Sequence, residues 1–170
     1  MVDVMRYNSW DRNFKAPFGA LKTSQNATIK VKVNKNFNVY SIKLIIEKED
    51  ENLKPVIVRE LDLKQVSEYN DIREYSVEIA PLQTPAVYYY FFVVELNIYG
   101  EDRTLFYGKT HNNGMACEYT YENLNKYQLT VYEDYKVPSW FKEGILYHVF
   151  VDRFNNGNRN GKVDNPKKNS

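Results

Sequence analysis

The 170-residue chain contains one cysteine, Cys117, and two histidines, His111 and His148. A lone cysteine closes no intramolecular disulfide, and two histidines, one in a turn and one in a stretch of buried-strand type, make no convincing Ser/His/Asp or Cys/His set. Charge of one sign is also missing. The 23 basic residues against 22 acidic ones leave a net charge of +1, which gives neither the basic footprint of a nucleic-acid binder nor an acidic solvating tail. DNA and RNA are therefore not expected partners. The longest apolar run, Val87 to Val94, has eight residues, where a membrane-spanning helix takes roughly 20, so no membrane partner is expected either. The opening MVDVMRYNSWDRNFK has no apolar core of the kind a signal peptide carries, and a cytoplasmic location is the expectation. No internal repeat and no low-complexity tract interrupts the chain.

Aromatic residues are abundant. Fifteen tyrosines, nine phenylalanines and an apolar share of 43% suit the pleated, half-buried surfaces of β-strands, and the length suffices for one well-packed domain plus an appendage. Met1 to Lys15 shows no period and reads as an irregular arm pinned to the body by Trp10 or Phe14. Ala16 to Leu21 reads as a short kinked strand. From Ala27 to Val33 the residues alternate, with Ile29, Val31 and Val33 on one face and Lys30 and Lys32 on the other, as in a strand with one wet side. Val39 to Glu47 is a second long strand running into the charged turn EKEDEN, and Pro55 to Leu61 returns. Leu61 to Tyr69 is left open between a helical turn and a loop. Arg73 to Ile79 alternates again, with Tyr75, Val77 and Ile79 on one side. Val87 to Ile98 is the central strand, apolar on both faces at first, and a turn at Tyr99 to Asp102 leads to a hairpin partner. Gln128 to Val131 closes the set. Strands at this spacing predict an all-β, immunoglobulin-like antiparallel β-sandwich.

The central strand carries the first candidate site. Tyr88, Tyr90 and Phe92 share one face by period two, and Val87, Tyr89, Phe91 and Val93 share the other. One face is core. Placed outward, Tyr88, Tyr90 and Phe92 can stack on glucose rings, pack against a further domain or dock a second subunit, and docking to protein is the preferred reading.

Beyond the sandwich stands Pro138 to Gly157, PSWFKEGILYHVFVDRFNNG. Seven of the ten residues from Ile145 to Phe154 are apolar or aromatic, as in a strand buried on both sides, while Asn155 to Ser170 has no apolar period. Pro138, Trp140, Tyr147, Phe150, Asp152, Arg153, Phe154, Asn156 and Gly157 resemble the opening of the catalytic barrel in the α-amylase superfamily, in its neopullulanase, cyclomaltodextrinase and amylopullulanase branch, with His148 where that family has Gln. Two upstream phrases, Ala16 to Leu21 and Tyr127 to Glu133, are similar to the start and end of the same branch's N-terminal domain.

The resemblance implies a domain order: an N-terminal sandwich over 1–132, a linker at 133–139, and over 140–170 the first strand of a (β/α)8 barrel with its following loop. Retaining hydrolysis of α-glucosidic bonds needs two carboxyl groups, and the resemblance places them on later barrel strands, since such a barrel takes about 250 residues. The chain by itself is then expected to be inactive, and its natural partner is its own catalytic barrel. An α-glucan ligand and a homo-oligomer are the other expected partners. Within the motif Tyr147, Asp152, Arg153 and Phe154 serve the barrel's architecture, and Asp152 beside Arg153 reads as a structural pair. Asn156 and Asn158 are oxygen donors at a spacing that can wrap Ca2+, or else part of a plain Asn/Gly turn. Two rival readings remain open, a free-standing glucan-binding module and an immunoglobulin-like interaction domain.

Overall fold

Alternation decides the first sheet. In β4 (Ala27–Asn34) every second residue is buried, and Ile29, Val31 and Val33 are wholly inaccessible, because period-two side chains leave one face for the core and one for water. The computed structural model describes residues 3–149 and divides the chain into two units, Met1–Asp134 and Tyr135–Ser170. In the first unit β4 pairs along one edge with β1 (Met5–Arg6) and β2 (Lys15–Ala16), and along the other with β8 (Ile72–Ile79), which pairs in turn with β7 (Lys64–Tyr69).

The second sheet is built on β9 (Ala86–Ile98), which lies against β5 (Asn38–Glu49) along nearly its whole length. Outside β5 comes β6 (Pro55–Asp62). The opposite edge of β9 is shared: its first half pairs with β12 (Tyr127–Tyr132) and its second half with β10 (Glu101–Lys109). Beyond these lie β11 (Ala116–Tyr119), against β10, and β3 (Leu21–Lys22), the parallel partner of β12. Side chains from both sheets enclose one core, in which Ile29, Val31 and Val33 meet Leu44, Ile46, Tyr90, Phe92 and Leu96. This is the all-β sandwich that the strand spacing predicts.

Local chemistry fixes the corners. After β5 the Asp50 carboxylate accepts the backbone N–H groups of Asn52 and Lys54, each at 2.8 Å, an Asx-type turn in the expected charged stretch. Between β9 and β10 only Tyr99 and Gly100 intervene, with φ of 54° and 90°. Two positive φ angles in a two-residue loop give the primed turn whose twist suits a hairpin, and Asn97 Oδ1 accepts the Gly100 N–H at 2.9 Å.

Leu61 to Tyr69 is neither helical turn nor loop. The chain stays extended and changes sheets at Leu63, which is buried and donates its N–H to the Ile42 carbonyl at 2.8 Å. All six residues of β7 are exposed, so no apolar period exists there to reveal a strand. The N-terminal arm is held by Met5 and Tyr7, both 2% exposed, with Phe14 packed against the core, whereas Trp10 stands 60% exposed.

In the second unit Pro138 precedes the short helix α1 (Ser139–Glu143). Residues 145–149 form no strand, and Ile145, Leu146 and Tyr147 are exposed. The strand expected over Ile145 to Phe154 is thus absent from its first half. An apolar strand of this type is held in place by neighbouring strands on both sides. Its second half lies outside the described residues.

Candidate functional site

The aromatic stripe of the central strand faces inward. Tyr88, Tyr90 and Phe92 are 2%, 1% and 0% exposed, which corrects the expectation that they form a sugar-stacking or docking surface. Their partners give the reason. Tyr7 meets Phe92 edge-on at 4.9 Å between ring centroids, and Tyr127 stacks on Tyr90 at the same distance, offset and edge-to-face contacts that stabilise beyond their buried area. The hydroxyls are also satisfied indoors: Tyr88 donates to the Thr84 carbonyl at 2.9 Å, and Tyr90 shares a hydrogen bond with Tyr7. Period two separates the faces of β9 but does not say which one meets the second sheet.

The other face of β9 is covered in part. Phe91 is buried beside Tyr121, and the Lys126 ammonium lies 5.5 Å from its ring centroid. Lys126 also donates to the buried Glu47 carboxylate. Next to this pair a cleft of about 330 Å³ is lined by Glu47, Glu49, Tyr89, Asn125 and Lys126, among others. Of the barrel-motif residues, Tyr147 is exposed, and Asp152, Arg153, Phe154, Asn156 and Asn158 lie outside the described residues. Among the described residues no group of three or more His, Cys, Asp or Glu is placed to hold a metal ion.

A second cleft was not foreseen. It has a volume of about 290 Å³, at the small end for ligand pockets, and runs between residues 9–20 and the strands β9 and β12. Trp10 and Phe18 line it while remaining 60% and 51% exposed. Its polar lining comes from Ser9, Lys15, Gln128 and Thr130, and Tyr90 contributes from the core. Lys15 is 5% exposed and donates from Nζ to the carbonyls of Gly19, at 2.7 Å, and Pro17, at 3.4 Å. Burial pushes its ammonium pKa down, because a low-dielectric site disfavours the charged form. Gly19, with φ of 86°, supplies the left-handed turn that brings its carbonyl round to the lysine, a conformation glycine takes without steric cost.

The backbone that carries Trp10 is held in place. The Trp10 backbone N–H donates to Asn8 Oδ1 at 3.0 Å, and the Ser9 backbone N–H donates to the Gly114 carbonyl at 2.9 Å. A Cβ on Gly114 would lie 2.8 Å from Trp10 Cδ1, so glycine is what lets the indole approach the backbone there. The Arg12 guanidinium carbon stands 6.0 Å from the Phe18 ring centroid, within cation–π range. Sequence reading reached Trp10 only as an anchor for the arm. A tryptophan followed by Pro17, Phe18 and Gly19 was the available signal. The cleft has no carboxylate in its lining.

No family model matches the chain. Curated relatives do. An amylopullulanase of Thermoanaerobacter thermohydrosulfuricus is 29% identical over 158 residues, 91% of this chain and 10% of that protein. The chain is similar to amylopullulanases. An amylopullulanase of Thermoanaerobacterium thermosulfurigenes is 24% identical over 159 residues, again 91% of the chain and 8% of the relative. One from Thermoanaerobacterium saccharolyticum is likewise 24% identical, with 12% of its length covered. The chain thus spans about a tenth of the length of these relatives. Among solved structures a cyclomaltodextrinase superposes with a TM-score of 0.43 at 15% identity, covering 86% of this chain and 23% of that one. Among the described residues no helix is long and apolar enough to cross a membrane.

Proposed function

We propose that this chain is a non-catalytic β-sandwich segment of an α-glucan-hydrolysing enzyme, lying N-terminal to the catalytic barrel. The observation that carries this reading is the continuous similarity to amylopullulanases over 91% of the chain. That span takes in both the sandwich and part of the Tyr147 to Gly157 motif. The sandwich then serves to shape the substrate site, to dock onto the barrel or to bring two enzyme molecules together. The exposed aliphatic run Val56, Ile57 and Val58 on β6, at the margin of its sheet, supports docking, since an open apolar strand edge is a template for pairing. Asn156 and Asn158 are retained as proposed Ca2+ ligands of the barrel's first loop, and the location proposed is cytoplasmic.

Two measurements test the reading. The source gene beyond codon 170 is expected to encode a (β/α)8 barrel of about 250 residues, and any other downstream domain would overturn the proposal. The purified chain is expected to release no reducing sugar from pullulan or starch. Release that survives removal of contaminating amylase would show that the segment is itself catalytic.

A further inference from the structure

We propose that Asn113 is a self-modification site, at which the Gly114 amide nitrogen closes on the Asn113 side chain, expels ammonia and leaves an aspartyl or isoaspartyl residue. The inference does not depend on the function proposed above.

Asn113 is followed by glycine, and packing requires that order. A Cβ on Gly114 would lie 2.6 Å from Asn8 Oδ1, 2.7 Å from Ser9 Oγ and 2.8 Å from Trp10 Cδ1, so a larger residue does not fit behind Asn113. Without a Cβ, the Gly114 nitrogen is open to the preceding side chain. A five-membered imide ring closes there with the least steric cost.

The turn favours the attack. Asn113 Oδ1 accepts the Met115 backbone N–H at 2.8 Å, an Asx turn that folds the side chain along the main chain past the Gly114 nitrogen. The Thr110 hydroxyl donates to the same oxygen and also stands 3.1 Å from the Asn113 carbonyl. Two donors on the amide oxygen draw electron density from Cγ and sit where negative charge develops as nitrogen adds to it. That is the arrangement of an oxyanion hole. The Gly114 N–H has no acceptor among the described residues, so its deprotonation breaks no hydrogen bond. Asn113 is half-buried and Asn112 exposed, which leaves the corner open to water.

The step balances with water as its sole co-reactant. The bond from Gly114 N to Asn113 Cγ forms and the Cγ–Nδ2 bond breaks. The Gly114 amide proton passes through water to Nδ2, which leaves as ammonia. Water then opens the resulting succinimide at one of its two carbonyls. Opening at Cγ gives aspartate at 113, and opening at the main-chain carbonyl gives isoaspartate, with one more methylene in the backbone.

The consequence falls on the N-terminal arm. The Gly114 carbonyl accepts the Ser9 N–H at 2.9 Å, and the Tyr7 carbonyl accepts the Ala116 N–H at 2.9 Å. A lengthened backbone at 113 disturbs this pair of bonds, which ties residues 7–9 to the corner.

The full chain is incubated warm in mildly alkaline buffer, folded and in urea. Conversion is followed on the tryptic peptide Thr110–Lys126, which excludes the other Asn-Gly pairs at Asn156 and Asn160, by mass spectrometry and isoaspartyl methyltransferase labelling. Asn113 is expected to convert in the folded chain at least as fast as in urea, because the two donors are already in position. Thr110→Val should slow the folded chain by about tenfold, Thr110→Ser should restore it, and neither should alter the rate in urea. Hydrogen exchange at the Ser9 amide should quicken in the isoaspartyl form. Slower conversion in the folded chain than in urea means that the turn protects Asn113 and overturns the proposal. A folded Thr110→Val variant that converts at the native rate overturns the role of the hydroxyl; where that variant fails to fold, the comparison with urea decides alone. A Ser9 amide that stays protected in the isoaspartyl form overturns the link to the arm.

Discussion

The hydroxyls of Tyr7 and Tyr90, 83 residues apart in sequence, meet at 2.8 Å inside the sandwich. Tyr7 comes from the N-terminal arm and Tyr90 from the central strand, so the contact fastens the arm that also carries Trp10. Removing one hydroxyl leaves the other buried without this partner, at a cost of about 1–3 kcal/mol. Tyr7→Phe and Tyr90→Phe should each lower unfolding free energy in denaturant by that order. The double variant should lose clearly less than the sum, and strict additivity would mean that the two hydroxyls do not depend on each other.

Glu47 and Lys126 form an ion pair on the outer face of the second sheet, with Glu47 buried and the Lys126 side chain 24% exposed. Lys126→Ala strands a buried carboxylate and uncovers Phe91. The expected destabilisation approaches, without reaching, the ~3–5 kcal/mol of fully buried pairs. Lys126→Met, which keeps the aliphatic stem over the ring, should be milder. For comparison, Arg103→Ala at the exposed Arg103–Glu101 pair should change stability by less than about 1 kcal/mol. Equal effects at the two places would rule out burial as the cause.

Alkaline pH should unfold the domain through its buried tyrosines. Burial raises the pKa values of Tyr7, Tyr90, Tyr107 and Tyr127, since a phenolate is poorly solvated there. In the unfolded chain the same groups titrate near pH 10. With the folded value above the unfolded one, their contribution is complete below about pH 10 and declines as pH rises toward the folded values. Absorbance of phenolate should therefore rise in two phases, exposed tyrosines first and the buried set together with loss of far-ultraviolet signal. A single smooth titration with the fold intact would contradict this.

Two glycines should respond to alanine for different reasons. At Gly108 in β10 a Cβ would collide with the backbone carbonyl of Asn125, which accepts the Lys109 N–H at 2.7 Å. The two chains must then separate, and about 1–3 kcal/mol of stability should be lost. At Gly100 the surrounding space is open but φ is 90°, so strain of the backbone alone costs about 1 kcal/mol. Thermal melts of Gly108→Ala and Gly100→Ala should rank in that order, and the reverse ranking would show that the approach of β10 to residue 125 is not tight.

The sandwich was legible wherever a strand has one wet face. Ile29, Val31 and Val33 announce their burial because lysines separate them, and the hairpin at Tyr99–Gly100 announces itself through its turn residues. β7 was not legible, because a strand exposed on every residue has no apolar period; only its ladder with β8 makes it a strand. The candidate site was less legible still. Ser9, Trp10, Lys15 and Phe18 are far from Gln128 and Thr130 in sequence, and no spacing rule connects them.

The sequence by itself determined the class of fold, the alternating faces of its strands and the similarity to amylopullulanases, since each is written in local pattern or in residue identity. The tertiary structure alone decided which face of β9 is core. Val87 to Val94 is apolar on both sides, and burial went to Tyr88, Tyr90 and Phe92 because Tyr7 and Tyr127 arrive from distant segments to pack there. It also decided where aromatic surface stays in water: Trp10 and Phe18 are left exposed at a cleft mouth, with the indole set close against Gly114.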